Sequence, residues 1–267
     1  FSALSAFGMM PATAAGMDPG RFADAAARMV QQCLTDSTSN PGLQLGAFMA
    51  ANALAGRDKV TLITSNEYAV FGMWVEQLLA ESTGKDGRGL IPIVGELRLE
   101  VESYGSDRQF IVFDSYDEDS NFRQVSAELE SAGHPVFVIK ASGSEKHGIA
   151  GEFFRWQFAT AAAASLMGVY PFDQPDVEAA KVRSRELLSD TGQSPVTYSL
   201  ADALKRLEKI EVPAYVALIA FLPESPELTA AFSGLRRVIS EKTGVATTFG
   251  YGPRYLHSIG QLYKGGP

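Results

Sequence analysis

Pro171-Phe172-Asp173-Gln174-Pro175-Asp176-Val177-Glu178-Ala179-Ala180-Lys181 is a break between two helices, and the rest of the chain is arranged about it. Proline fixes φ and restricts the residue before it, so Pro171 and Pro175 interrupt an otherwise helical pattern. Upstream, residues 153–167 form an apolar, alanine-rich helical run. Downstream, Pro175 suits the first position of a new helix, predicted over 177–188, in which Val177, Ala180 and Lys181 share one side. The start of that helix aims backbone donors outward, and Lys181 follows about two turns in.

Working outward, helical and strand periodicities alternate. Strands are predicted at Lys59–Thr64, 97–101, 109–113, 135–139, 214–222 and 245–249. Helices are predicted over 1–15, from Asp18-Pro19, from Asn40-Pro41 to about Ala55, and over 67–79, 121–132, 199–209 and 225–242. Strands that alternate with helices predict an α/β fold, a three-layer α/β/α sandwich on a mainly parallel sheet. A polar, turn-forming patch at 189–195 marks a boundary before the C-terminal section.

The chain has 267 residues, 46% of them apolar, which is enough for one large α/β domain or two small ones. A formal net charge of −8 argues against nucleic acid or an anionic membrane as the main partner, although a helix N-terminus can still hold a small anion. Cys33 is the only cysteine, so no internal disulfide is possible and a reducing, cytoplasmic setting is expected. No apolar run is long enough to span a bilayer. Residues 1–17 look like the apolar part of a signal segment but lack its basic start, so Phe1 reads as a boundary inside a longer protein. No cluster of His, Cys and carboxylates has metal-ligand spacing, and no glycine-rich phosphate loop follows a strand, so neither a metal nor a cofactor is expected.

Two places carry candidate chemistry. Glu81 opens Glu81-Ser82-Thr83-Gly84-Lys85-Asp86-Gly87-Arg88-Gly89-Leu90-Ile91-Pro92, where a helix gives way to a loop whose glycines let a ligand approach the backbone. A single carboxylate there can move a proton between adjacent carbons if partial burial tunes its pKa upward. His257 lies in Thr248-Phe249-Gly250-Tyr251-Gly252-Pro253-Arg254-Tyr255-Leu256-His257-Ser258-Ile259-Gly260-Gln261-Leu262, and an imidazole titrating near neutrality suits proton exchange at a ring oxygen. His134 and His147 have no motif around them and read as structural or exposed. Gln157 lies on an apolar helix and reads either as a supporting residue behind the site or as a structural one.

These stretches resemble the glucose-6-phosphate isomerases. The first is similar to their N-x-F-D-Q-x-x-V-E-x-x-K signature, with Tyr170 in place of the asparagine. The Glu81 loop is similar to G-E-S-x-G-K-x-x-K-G-I-x-P, with Ala80 in place of the first glycine. The ending from Thr248 to Pro267 resembles T-F-G-Y-G-P-R-Y-L-H-S-x-G-Q-L-x-K-G-G-P of the isomerase half of fused transaldolase/glucose-6-phosphate isomerase proteins. Residues 1–11 resemble the stretch that follows an active-site arginine, which would fall one position before Phe1. The likeness covers the C-terminal half of such an isomerase.

The resemblance implies a sugar-isomerase (SIS-type) domain spanning 1–267 that interconverts glucose 6-phosphate and fructose 6-phosphate in glycolysis and gluconeogenesis. It casts Glu81 as the base of a cis-enediol mechanism and His257 and Lys181 as aids to ring opening. Gln174, Ser82 and Gly84 become substrate contacts. Many bacterial isomerases have their histidine segment soon after the glutamate loop. Here it comes near the end, so section 190–267 is expected to return and set His257 beside Glu81. The implied partners are the sugar phosphate, an upstream sugar-isomerase domain and a transaldolase domain of the same parent chain, with neither nucleic acid nor membrane. Two other readings carry the same residues: a sugar-phosphate sensor without turnover, and an isomerase that also accepts mannose 6-phosphate.

Overall fold

A computed structural model describes residues 2–114, 121–140, 146–189 and 197–267. Three helices come first: α1 (Ala6–Ala14), α2 (Pro19–Cys33) and α3 (Pro41–Leu54). Their starts follow from the sequence. The Asp18 carboxylate accepts from the backbone N–H groups of Gly20 and Arg21 at 2.9 and 3.1 Å, ahead of a proline in the first turn. Asn40 caps α3 in the same way, and its amide also donates to the Cys33 carbonyl at 2.6 Å, which closes the end of α2 onto the start of α3.

The chain then enters the sheet. Strand β1 (Lys59–Thr64) is followed by α4 (Ala69–Thr83), β2 (Ile91–Ile93), β3 (Arg108–Asp114), α5 (Phe122–Ser131) and β4 (Val136–Lys140). The four strands lie in the order β2-β1-β3-β4, all parallel, with Lys59 opposite both Ile91 and Arg108. Side chains alternate across β3. Ile111 and Phe113 face a core built from α3, α4 and the next helix α6 (Ile149–Met167), and Phe110 packs instead with Val125 and Leu129 of α5. Both faces are therefore covered, which is the layered α/β/α arrangement predicted from the alternating pattern.

After α6 come α7 (Pro175–Ser189), α8 (Leu200–Leu207), β5 (Tyr215–Ala220), α9 (Pro226–Thr243), β6 (Ala246–Tyr251), α10 (Tyr255–Ser258) and α11 (Gly260–Gly265). Strands β5 and β6 form a separate two-stranded parallel sheet. A small core of Ala80, Ile91, Ile93, Ala246, Ile259 and Leu262 joins it to β2 and α4. A buried ionic joint reinforces the link. Arg108, fully buried in β3, holds Glu96 through both guanidinium nitrogens at 2.5 and 3.1 Å. Arg236 of α9 spans the gap, donating to the Val94 carbonyl at 3.0 Å and the Thr247 carbonyl at 2.7 Å.

Two expectations need correction. Residues 97–101 are not a strand. The Leu97/Leu99/Val101 alternation belongs to an irregular crossing that ends in a short 3₁₀ turn, Val101–Ser103. The sheet edge is taken instead by Ile91-Pro92-Ile93, where a proline does no harm because the outer side needs no ladder bond. The crossing uses its side chains otherwise: Glu96 turns in to Arg108, and the Leu99 N–H donates to the Tyr104 hydroxyl at 3.1 Å. The second correction concerns α4. It continues to Thr83, so Glu81 and Ser82 sit in its last turn, not in the loop. Residues 190–195 of the predicted boundary patch lie outside the described residues. Among the described residues no helix is long and apolar enough to cross a membrane.

Glu152 gives the fold a pH dependence. Only 1% exposed in α6, its carboxylate oxygens have no hydrogen-bond partner, although an Arg155 nitrogen lies 3.3 Å away. Burial raises its pKa from 4.5 to about 7, against the opposing charge of Arg155. Between those two values the folded chain keeps a proton that the unfolded chain has released, so stability falls as pH rises. Glu152→Gln removes the titration. Thermal unfolding should show the variant gaining on the parent from about pH 5 to about pH 8, by roughly 1–3 kcal/mol in total. A constant offset over that range would count against the buried carboxyl as its source.

Candidate active site

The three sequence stretches meet at the buried side chain of Gln261, 1% exposed at the start of α11. Its amide nitrogen donates to the Gly84 carbonyl at 3.0 Å and to the Asp176 carboxylate at 2.6 Å, while its oxygen accepts from the Val177 N–H at 3.3 Å. One side chain thus joins the loop after Glu81, the first turn of α7 and the C-terminal helix. The backbone adds a further tie, Gly87 N–H to the Gly265 carbonyl at 2.8 Å. Gly84 is needed for this contact: a Cβ there would stand 2.6 Å from the Leu262 Cα.

In front of this junction lies a cleft of about 630 Å³. Helix α4 supplies Glu81 and Ser82, α6 supplies Gln157 and Thr160, and the turn before α7 supplies Phe172 and Gln174. The Glu81 carboxyl is half-buried, and desolvation raises its pKa above the ordinary value. A hydrogen bond from the Gln77 amide at 3.4 Å and the charge of His257 act in the opposite direction. The carboxyl is thus poised between burial, which makes it a stronger base, and the Gln77 amide and His257 charge, which favour its ionised form.

Glu81, Ser82 and Gln174 share this cleft. His257 is exposed on the short helix α10, which packs on α4, close enough for its charge to reach Glu81. Gly84 lies behind the cleft, covered by α11 rather than open to a ligand. Lys181 does not line the cleft. Its exposed ammonium pairs with Glu178 at 2.5 Å, and it is Glu178 that reaches the cleft wall. Gln157 corrects the supporting role expected for it, since it faces the cleft with Thr160 and Ala161. The 157/160/161 spacing is one helical face, so polar residues on an otherwise alanine-rich stripe were the available signal. Among the described residues no group of three or more His, Cys, Asp or Glu side chains could hold a metal ion.

Gln261→Ala would leave the Gly84 carbonyl, the Asp176 carboxylate and the Val177 N–H without this partner. Denaturant unfolding should show a loss of about 2–4 kcal/mol, and amide exchange should speed up in 260–265 ahead of the four-stranded sheet. A loss under about 0.5 kcal/mol would mean that the amide is not what fastens α11.

No family model matches the chain. Its curated relatives include proteins named glucose-6-phosphate isomerase. That of Rubrobacter xylanophilus is 28% identical, over 68% of this chain and 50% of its own length. That of Clostridium perfringens is 25% identical over 77% and 54%. A probable glucose-6-phosphate isomerase of Natronomonas pharaonis is 25% identical over 70% and 52%. The chain thus spans about half the length of the curated relatives it matches. Among solved structures, a hypothetical protein from Thermus thermophilus superposes with a TM-score of 0.61 at 19% identity, over 70% of this chain and 54% of that one. The chain therefore has the layered α/β fold, with a parallel sheet flanked by helices, and is similar at about a quarter identity to proteins named glucose-6-phosphate isomerase.

Proposed function

We propose that this chain is the catalytic part of a sugar-phosphate isomerase that interconverts glucose 6-phosphate and fructose 6-phosphate. The observation that carries the proposal is Glu81: a half-buried carboxyl with a raised pKa, in one cleft with Ser82 and Gln174. The names of the relatives supply the substrate.

Glu81 takes the proton from C2 of the open-chain aldose, and the carbonyl oxygen at C1 gains a proton as the cis-enediol forms. Glu81 returns its proton to C1, the C2 hydroxyl loses one, and the ketose results. The same carboxyl serves both carbons, so it has to stand over the C1–C2 bond within hydrogen-bond reach of each. The raised pKa makes its carboxylate a stronger base towards a C–H bond. In this reading His257, carried on the flank of α4, protonates the ring oxygen during opening. Gln174 offers its amide to the sugar hydroxyls, and Ser82 lines the cleft beside Glu81, with Gly84 buried behind it under α11. Lys181 starts from an ion pair with Glu178, and an anionic substrate entering the cleft competes for its ammonium. In this reading residues 190–267 return to complete the site, and an upstream sugar-isomerase domain of the parent chain supplies the remaining phosphate contacts. A transaldolase domain of the same chain is the proposed fusion partner.

A coupled assay with fructose 6-phosphate on the full-length protein, beside Glu81→Gln, tests this. The variant should lose about three orders of magnitude in kcat while its substrate affinity changes only a few-fold. The parent's kcat should rise with pH through an acid limb whose midpoint lies above the ordinary glutamate value, because the base must be ionised. A parent that binds fructose 6-phosphate without turnover would make the domain a sensor, and Glu81 a mere lining group. Turnover of mannose 6-phosphate at a comparable rate would widen the substrate class.

A further inference from the structure

We propose that Lys85 is a positioning residue. Its buried ammonium ties the loop after Glu81 to the turn that carries Phe172 and Gln174, and so sets the distance between the base and the amide that holds the substrate. The inference rests on the isomerase reading of the cleft.

The local structure begins with the sequence Lys85-Asp86-Gly87-Arg88. Asp86 and Gly87 both have positive φ, 54° and 68°, and Lys85 and Arg88 face each other across an antiparallel bridge. The bridge is closed by Lys85 N–H to the Arg88 carbonyl at 3.0 Å and Arg88 N–H to the Lys85 carbonyl at 2.9 Å. This is a two-residue hairpin turn of the primed type, which Asp-Gly favours and which leaves little freedom to the flanking residues. Residues opposed across such a bridge send their side chains to the same face.

Both cationic side chains reach the far end of α6. The Arg88 guanidinium donates to the Met167 carbonyl at 3.1 Å, at the negative end of the helix. The Lys85 ammonium donates to the Tyr170 carbonyl at 2.6 Å and to the Asp173 carboxylate at 2.9 Å. Lys85 is 2% exposed, whereas the Asp173 side chain is 55% exposed. A buried ammonium is expensive, and one carbonyl and one half-solvated carboxylate do not make this a strong stabilising pair. What the contact does provide is a fixed span. It grips the turn on both sides of Phe172, one residue before Gln174, and its other end lies four residues after Glu81. A base that must serve two adjacent carbons tolerates little error in that span, since a shift of about 1 Å can cost on the order of a hundredfold in rate.

The test uses the full-length protein with Lys85→Met, Gln174→Ala and the double variant, and with Asp173→Asn as a gentler cut of the same contact. If the tether exists, hydrogen exchange at 172–174 accelerates in Lys85→Met while β1 and β3 keep their protection. If it positions Gln174, kcat/KM for fructose 6-phosphate falls about 10–100-fold, mostly through KM. The pH midpoint assigned to Glu81 stays put, and Gln174→Ala costs little more in the Lys85→Met background than that variant has already lost. A purely structural lysine would leave the two penalties additive. Unchanged exchange at 172–174, or additive penalties, overturns the proposal. Should Lys85→Met fail to fold, Asp173→Asn carries the same comparison, with smaller effects in the same direction. Should the parent have no isomerase activity, the cycle is read on fructose 6-phosphate affinity. Non-additive affinities with faster exchange then keep the positioning role while the isomerase reading falls.

Discussion

A single buried primary amide holds the candidate site together. Gln261 reaches a loop carbonyl, a carboxylate and a helix-start N–H, which belong to residues 177, 85 and 84 positions away. Glutamine suits this place because its side chain is both donor and acceptor, and each function finds a complementary partner. A charged side chain in the same place would bear a desolvation cost that the amide does not. The consequence is geometric. Neither the end of α4 nor the start of α7 can shift without breaking a bond to α11, so the cleft between them has walls of fixed separation. Lys85 extends the same logic to the turn before α7.

The smaller sheet needs its own anchorage, because two strands alone bury too little to be stable. Part of it comes from apolar contact among Ile91, Ile93, Ala246 and Leu262, and part from Arg236 and the Glu96–Arg108 pair. Lys59, opposite Arg108 at the start of β1, makes a comparable joint, pairing with Asp58 at 2.7 Å and Asp107 at 3.0 Å and donating to the Pro213 carbonyl just before β5. Buried ion pairs of this kind contribute modestly to net stability but strongly disfavour misplacement, since a shifted partner leaves an unpaired charge. Here they fix β5 and β6 beside β2, and through α10 and α11 they carry His257 to the flank of α4.

How far this was legible in the sequence follows from the range of each signal. Caps and periodicity are local, so Asp18-Pro19 and Asn40-Pro41 marked helix starts correctly, and Lys59–Thr64 was read to the residue. The edge strand Ile91–Ile93 was missed because three residues with a central proline carry almost no strand signal. The false strand at 97–101 has the right alternation, but its inward-facing neighbour Glu96 serves an arginine on another strand, a pairing invisible along the chain. The same holds at the cleft. Glu81, Ser82 and Gln174 could be picked from motif likeness, and they do line one cleft. The pairing of Lys181 with Glu178, the burial of Gly84 under Leu262 and the exposure of Gln157 to the cleft are tertiary facts. Gln261 and Lys85 stood inside the quoted stretches without a role, because what they do depends on partners more than eighty residues distant.

In the isomerase reading an acidic chain with a carboxylate as its proposed base has to admit an anion, and the distribution of charge around the cleft allows it. Asp173 is countered by Lys85 and Glu178 by Lys181, so two of the acidic groups near the cleft are already paired. Burial raises the pKa of Glu81 above the ordinary glutamate value. The two lysines differ in a way that separates their parts. Lys85 is enclosed and its bonds are short, so its charge is spent on architecture. Lys181 is exposed and its partner is exposed with it, a pair that solvent screens and that costs little to open. Only a cation of the second kind can be lent to a phosphate or a sugar oxygen without unfastening the wall that holds the base.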